Sequence, residues 1–312
     1  MTSQGAYAAA LAALANAGLA PDTSGLTLLR GGQDNRLFSA VTANGPVVIK
    51  LCRSRAARYD VAAWASATMT SCGLPAPRIL WFDEHACIET RCTGYPLADR
   101  VGAGAFTPTD IAVACEAGRL LRLVHVTPID GFGRLDTHGR GRHRSMRSWL
   151  LGARTPPIPA PIAGAVSTLD ARVHRALITH AARCDHVAAR LVHGDWAARH
   201  VIADAGRITG LVDLESARGG DPLTDLAAWS LQEPPELTGA LFAGYFASPP
   251  TLADRYRLAV YRLRIGTSVL QWHARRGEAG AVQRRAAQLA ADLDGLDRGD
   301  PPAIPGWPPA RP

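Results

Sequence analysis

Three short runs hold the residue types that could do chemistry. Val192-His193-Gly194-Asp195-Trp196-Ala197-Ala198-Arg199-His200-Val201 sets an aspartate beside a glycine, with His200 following in the same run. Leu211-Val212-Asp213-Leu214-Glu215 places a second aspartate after two apolar residues, and Gly220-Asp221-Pro222-Leu223-Thr224-Asp225-Leu226-Ala227 comes next. A carboxylate on a loop can orient a hydroxyl and accept its proton; one at the end of an apolar strand can hold a hard divalent cation. A further feature is Lys50, the only lysine among 34 lysines and arginines. Where arginine has taken almost every basic position, a surviving lysine marks a place that needs a compact point charge on a flexible stem.

In order and spacing these runs resemble the aminoglycoside-phosphotransferase and choline-kinase family, cousins of the protein kinases. That family shows HGDxxxxN, then an aspartate in a hydrophobic strand context, then GDPxxDLA. The resemblance covers about residues 26 to 246 and takes in Arg30-Gly31-Gly32-Gln33-Asp34-Asn35-Arg36-Leu37-Phe38, Cys87-Ile88-Glu89-Thr90-Arg91-Cys92-Thr93-Gly94 and Leu120-Leu121-Arg122-Leu123-Val124-His125. It implies phosphoryl transfer from ATP, or from GTP, with Mg2+, a reaction that rests on positioning and charge stabilisation more than on covalent chemistry. Asp195 then orients the acceptor hydroxyl and takes its proton, Asp213 holds the metal, and His193 braces the loop. Gly31 and Gly32, with Asn35 in the same turn, let the backbone approach phosphates. Lys50 reaches the α- and β-phosphates, and its implied partner is Asp60, the only acid on a helix expected over 55–72. Backbone from Glu89 to Arg91 is implied to meet the adenine. His200 departs from the family, which usually has Asn there; imidazole is a softer ligand than the amide oxygen. Macrolide kinases resemble this chain in carrying His, and His200 is assigned as a second metal contact, direct or through water. Glu215 either touches metal or substrate or holds the strand turn. Asp221 and Asp225 read as architectural, Asp221-Pro222 having the form of a helix start.

The elements that must carry these residues follow from periodicity. A helix over 5–19, strands at 26–29, 36–41, 46–51, 79–82 and 86–90, and the helix over 55–72 make the first ninety residues strand-rich. After Gly94, helices are expected over 108–126, 144–151 and 164–189, short strands at 191–192 and 208–212, and nearly continuous helix from Pro222 to Leu296. A Pro-rich loop spans 155–161. The fold class is α+β: a protein-kinase-like two-lobe fold with a small antiparallel-sheet lobe and a larger, mainly helical one. The expected divisions are 1–92 with a hinge at about 88–94, 93–300, and a Pro-rich tail at 301–312.

Composition removes other classes. At 47% hydrophobic and 20% charged, the 312 residues can bury a large core. The net charge of +7 is arginine spread along the chain without interleaved aromatics, which argues against nucleic-acid binding. Six cysteines without a CxxC pair suggest free buried thiols in a reducing compartment. No apolar run reaches membrane length and the start lacks a basic secretory region, so a cytoplasmic protein with no membrane contact and no obligate protein partner is expected. The implied acceptor is a small molecule with a hydroxyl: an antibiotic, or a metabolite of the choline, homoserine or sugar type. A nucleotide-binding protein without catalysis is a third reading. The C-terminal helices mix Glu233, Glu236, Asp254 and Glu278 with many arginines and have no net acidic bias, so a neutral, weakly charged or acid-bearing sugar-like acceptor is expected at least as much as an aminoglycoside. Trp229, Tyr245, Tyr261, Trp272 and His273 either line the acceptor pocket or belong to the core.

Overall fold

The structure, a computed structural model, describes residues 3–22, 25–29, 35–53, 57–101, 106–152 and 160–301. In chain order, α1 (Ser3–Asn16), β1 (Thr27–Leu28), β2 (Asn35–Thr42), β3 (Gly45–Cys52), α2 (Tyr59–Ser71), β4 (Ile79–Phe82), β5 (Ala86–Thr90) and β6 (Tyr95–Pro96) come first. Then follow α3 (Ala98–Val101), α4 (Pro108–Val124), β7 (Phe132–Leu135), β8 (Gly141–His143), α5 (Met146–Leu151), α6 (Ala160–His180), β9 (Arg190–Val192), β10 (Val201–Asp204) and β11 (Arg207–Leu211). The chain ends with β12 (Arg218–Gly220), α7 (Leu223–Gln232), α8 (Pro235–Tyr245), α9 (Leu252–Arg275) and α10 (Ala279–Asp297). Residues 155–159 of the Pro-rich loop expected over 155–161, and the tail from 302, lie outside the described residues, while α6 begins inside that expected loop, at Ala160.

The chain forms two compact units, Met1–Pro96 with Arg199–Ala217, and Leu97–Ala198 with Arg218–Pro312. The sequence divides at 93 into two continuous stretches; the structure instead returns 199–217 to the first unit. The cause is local pairing. β10 pairs antiparallel with β6 through Ile202↔Pro96 and Ala203↔Tyr95. Thr209 donates to Thr93 O at 2.5 Å, and Leu211 N–H to Pro75 O at 2.6 Å. Gly94 (φ 100°) makes the approach possible, because a Cβ there would strike the Ala203 carbonyl.

The first unit is built on an antiparallel sheet in the order β1-β2-β3-β5-β4. Side chains alternate between the two faces of a strand. Val47, Ile49 and Leu51 of β3 and Ala86 and Ile88 of β5 join one buried cluster with Ala6, Ala10, Ala13 and Leu14 of α1. Those α1 positions fall at helical spacing, so one helix stripe covers one sheet face. Lys50 of β3 and Glu89 of β5 fall at the alternate positions and are turned to the other face.

The second unit is mainly helical. α4 starts at a capping box in which Thr107 and Asp110 bond reciprocally, and α9 repeats the device with Thr251 and Asp254. α4 and α8 approach through Gly118 and Gly244: a Cβ at Gly244 would strike the Cys115 carbonyl, and one at Gly118 the Leu241 carbonyl. Arg262 of α9 holds Asp292 of α10 with Nε at 3.1 and 3.0 Å from its two oxygens. A small sheet in the order β8-β7-β12-β9 carries the loop that follows β9. Among the described residues no helix is long and apolar enough to cross a membrane. All six cysteines are free; Cys87 and Cys184 are buried and Cys72 is exposed.

Candidate active site

The first unit gathers most of the residues expected to act. Lys50, 5% exposed, lies with its ammonium 3.2 Å from Glu89, 3.7 Å from Asp213 and 3.6 Å from Glu215. Strand register explains the first contact: Lys50 faces Cys87 and Val48 faces Glu89, so Lys50 and Glu89 are diagonal neighbours on one sheet face. Burial alone would lower the lysine pKa, but Glu89, Asp213 and Glu215 together outweigh it and hold the ammonium well above its usual value. Burial raises the carboxyls of Glu89 and Glu215, opposed chiefly by Lys50. Three carboxylates against one ammonium leave the cluster with an excess of negative charge, the condition a divalent cation relieves.

Asp213 reaches this cluster by an uncommon backbone. It stands after β11 at φ 67°, ψ 53°, the left-handed region, just before the short 3-10 turn Leu214–Ser216. For a non-glycine residue this conformation costs about 1–2 kcal/mol. Val212 N–H donates to His200 O at 3.0 Å, which ties the strand end to the start of the β10 hairpin. His200 Nε2 lies 3.1 Å from Asp213 Oδ2. The pair offers a hard carboxylate oxygen and a borderline nitrogen side by side; the oxygen suits magnesium, the nitrogen less so.

Asn35 and Glu215 gain definite places. Tyr59, at the start of α2, donates to Asn35 Oδ1 at 3.0 Å, and Asn35 Nδ2 donates to Glu215 Oε1 at 2.8 Å. This connects helix α2 to the lysine cluster through three side chains. The expected direct pair of Lys50 with Asp60 is not formed. Asp60 lies against Arg58 Nε at 3.5 Å, in the first turn of α2, and the strand residue Glu89 takes its place. Backbone from Glu89 to Arg91, the expected adenine edge, lies at the end of β5. Thr90 and Arg91 spend their N–H groups on Arg78 O (2.9 Å) and Pro46 O (3.0 Å), and the Glu89 side chain belongs to Lys50. Gly31 and Gly32 lie outside the described residues.

In the second unit, Asp195 sits on a loop fixed from several sides. Asp225 accepts the N–H groups of His193 (2.7 Å) and Gly194 (2.8 Å), and His125 Nε2 lies 3.1 Å from it. Arg218 donates to Gly194 O at 2.5 Å, and Ala198 N–H donates to Glu233 at 2.8 Å. Asp195 N–H donates to His193 Nδ1 at 3.4 Å, so His193 braces the loop from within. Burial would raise the Asp225 carboxyl, but the His125 hydrogen bond, the imidazoles of His125 and His193 and the backbone hold it below its usual 3.8. Asp221 accepts from Leu223 N–H (3.0 Å), Arg257 (2.6 Å) and Tyr261 (2.8 Å), an anchoring role. Trp229, Tyr245 and Tyr261 are core residues. Glu233, counted among possible acceptor-binding acids, is engaged with the loop.

The sequence profile of the phosphotransferase enzyme family matches residues 25–261. The chain belongs to that family and is a phosphotransferase with a hydroxyl acceptor. It is 27% identical over 256 residues to hygromycin-B 4-O-kinase of Escherichia coli, covering 79% of this chain and 74% of that one. Among solved structures it resembles a thermostable mutant of aminoglycoside phosphotransferase APH(4)-Ia in apo form, with TM-score 0.72, 24% identity and coverage of 91% and 97%. The same mutant carrying D198A, in a ternary complex with ADP and hygromycin B, gives 0.71 and 23%, covering 92% and 96%. Macrolide 2'-phosphotransferase MphH from Brachybacterium faecium gives 0.58 and 19%, covering 91% and 98%. The fold is the protein-kinase-like fold of these enzymes, α+β, with an antiparallel sheet and a mainly helical part.

Proposed function

We propose that this phosphotransferase moves the γ-phosphoryl group of ATP, taken as the magnesium complex, onto a hydroxyl of a small-molecule antibiotic. The observation that carries the reading is the buried Lys50 ammonium held between three carboxylates, one of them the strained Asp213. Such a cluster binds charge of both signs: the ammonium meets phosphate oxygens, and the surplus carboxylate meets a cation. Asp213 would hold Mg2+ with His200 beside it, and the ion would neutralise charge on the transferring phosphoryl group. Asn35 keeps Glu215 in place, and Glu89 keeps Lys50 pointed off the sheet. Asp195 orients the acceptor hydroxyl and takes its proton as the new P–O bond forms and the bond to ADP breaks. The carbonyls of Glu89 to Arg91 and the segment after them supply the adenine edge, and Gly31 and Gly32 the phosphate turn.

Hygromycin-B 4-O-kinase and the ADP–hygromycin B complex support an antibiotic acceptor. One observation favours an acceptor less cationic than an aminoglycoside. Glu233 is bonded to Ala198 and Asp254 caps α9, so both acids are spent on the protein itself. The test is MgATP turnover against a panel of hydroxyl-bearing antibiotics, choline, homoserine and sugars. Acceptor-dependent ADP release with one antibiotic class supports the reading. Release only with a metabolite moves the assignment to a metabolic kinase, and none with any acceptor contradicts it.

A further inference from the structure

Four arginines of the C-terminal helices are matched by acids, while buried Arg285 bonds Leu231 O and Gln288 instead. Arg255 faces Asp300 at 3.5 Å, Arg257 faces Asp221 and Asp254 at 2.6 Å each, Arg262 holds Asp292, and Arg276 holds Glu278 at 2.7 Å. Arg264 differs. It is half-buried on α9, bonds Ser268 at 3.0 Å and lies over the Trp149 ring at 5.6 Å, and among the described residues no carboxylate is within ion-pair distance. Burial, then repulsion from Arg218, lowers its pKa. A desolvated guanidinium with no anion is costly, and its planar fork matches a carboxylate in two hydrogen bonds.

Arg264 opens onto a cavity of about 50 Å³ whose walls come from α5, α6 and α9. Leu150, Val173 and Leu177 give it an apolar side, and Arg264 and Gln271 a polar one. Arg264 and Gln271 are two turns apart on one face of α9. Gln271 is 4% exposed, and its side-chain oxygen has no hydrogen-bond partner among the described residues. A buried amide oxygen without a partner is destabilising unless a ligand or water satisfies it. Two other titratable groups line the cavity: His174, and Asp170, which has a partner of its own. Arg218 stands between the loop of Asp195 and Arg264 in the same unit. Arg218 feels the charge of Asp195, bonds Gly194 O, and acts on Arg264.

We infer that the α5–α6–α9 cavity is an acceptor subsite that takes a carboxylate borne on or beside an apolar ring. The carboxylate bonds Arg264, the ring lies on Leu150, Val173 and Leu177, and a water or a ring hydroxyl meets the Gln271 oxygen. The inference rests on the proposed function for the word acceptor; the carboxylate chemistry stands on the cavity alone. A polycationic group is repelled by Arg264, and an uncharged one leaves it unpaired.

The probes are benzoate and benzamide, titrated by calorimetry and ligand-observed NMR into the full-length protein. Benzoate binds saturably and at least about tenfold tighter than benzamide, equivalent to about 1.4 kcal/mol. Arg264→Leu removes the preference, Arg264→Lys keeps a reduced one, and Asp195→Ala leaves it unchanged. Thermal melts of each variant confirm folding. Equal binding of the two probes, no binding of either, or a preference that survives Arg264→Leu overturns the carboxylate assignment. In turnover with the best acceptor of the panel, benzoate raises the KM of the acceptor and leaves that of ATP unchanged; no such effect overturns the acceptor placement. If the protein turns over no acceptor, the proposed function fails by itself and the binding result still decides the carboxylate site.

Discussion

At the residue scale, the chemistry concentrates on a few ionised groups whose neighbours decide their cost. Lys50 has three carboxylates around it, so its removal and the removal of one partner are unequal events. Lys50→Met leaves three buried or half-buried acids without a counter-charge and should cost about 3–5 kcal/mol of stability. Glu89→Gln leaves Lys50 with Asp213 and Glu215 and should cost under about 1 kcal/mol while raising the KM for ATP. Urea denaturation and nucleotide kinetics on the two variants check the contrast; equal losses of stability would contradict it. Much of this was legible in sequence. Asp195, Asp213, His200 and Lys50 stood out through motif order and through the lysine's isolation. Glu89 as the partner of Lys50 did not, although strand parity held the signal: once Lys50 is opposite Cys87, Glu89 lies on the same face. The family layout implies a helix acid and so points to Asp60, whereas strand register depends on pairing across 36 residues of intervening chain.

At the scale of elements, the first unit joins its helix to its lysine through Tyr59, Asn35 and Glu215 rather than through a helix acid. Tyr59→Phe removes the hydroxyl that donates to Asn35 Oδ1 and, at 3.4 Å, to Lys50 O; the loss should cost about 0.5–1.5 kcal/mol and leave the ring packed. Its expected signature is a lower kcat with the KM for ATP nearly unchanged; a rise in KM alone would show that the link serves nucleotide binding only. In the second unit, α4 and α8 meet where Gly244 faces the Cys115 carbonyl. Gly244→Ala forces the helices apart and should cost about 1–3 kcal/mol by overpacking, read as a lower melting temperature. Long elements were readable in advance because their periodicity is strong: α4, α7, α8, α9 and α10 fall within the helical stretches of the sequence. The strands β6, β7, β8, β10 and β12 were not, since two to four residues carry no period and owe their conformation to partners distant in sequence. That is also why the 199–217 segment was assigned to the larger lobe.

At the scale of the whole molecule, buried carboxyls set opposite dependences on pH. Glu89 and Glu215 have raised pKa values, so their contribution to stability is complete below the usual 4.5 and is lost as pH rises through their folded values. Asp225 has a lowered one, so its contribution is complete above 3.8 and is lost as pH falls through its folded value. Without nucleotide, stability should therefore rise on mild acidification and fall steeply below about pH 4. Urea midpoints across pH 3 to 8 check the shape, and Glu215→Gln should flatten the mild-acid rise. Adding MgATP should remove that rise too, because the bound cation and phosphates satisfy the same charges.

The proposed function turns on transfer of the γ-phosphoryl group of ATP to a hydroxyl with Asp195 as the proton acceptor. Its most direct test is 31P NMR of a reaction holding the protein, MgATP and the acceptor found in the panel. A phosphomonoester resonance should grow in step with ADP, at a rate about 10²–10⁴-fold lower in Asp195→Ala. ADP appearing with inorganic phosphate alone, or a phosphomonoester formed equally fast by the variant, would contradict it.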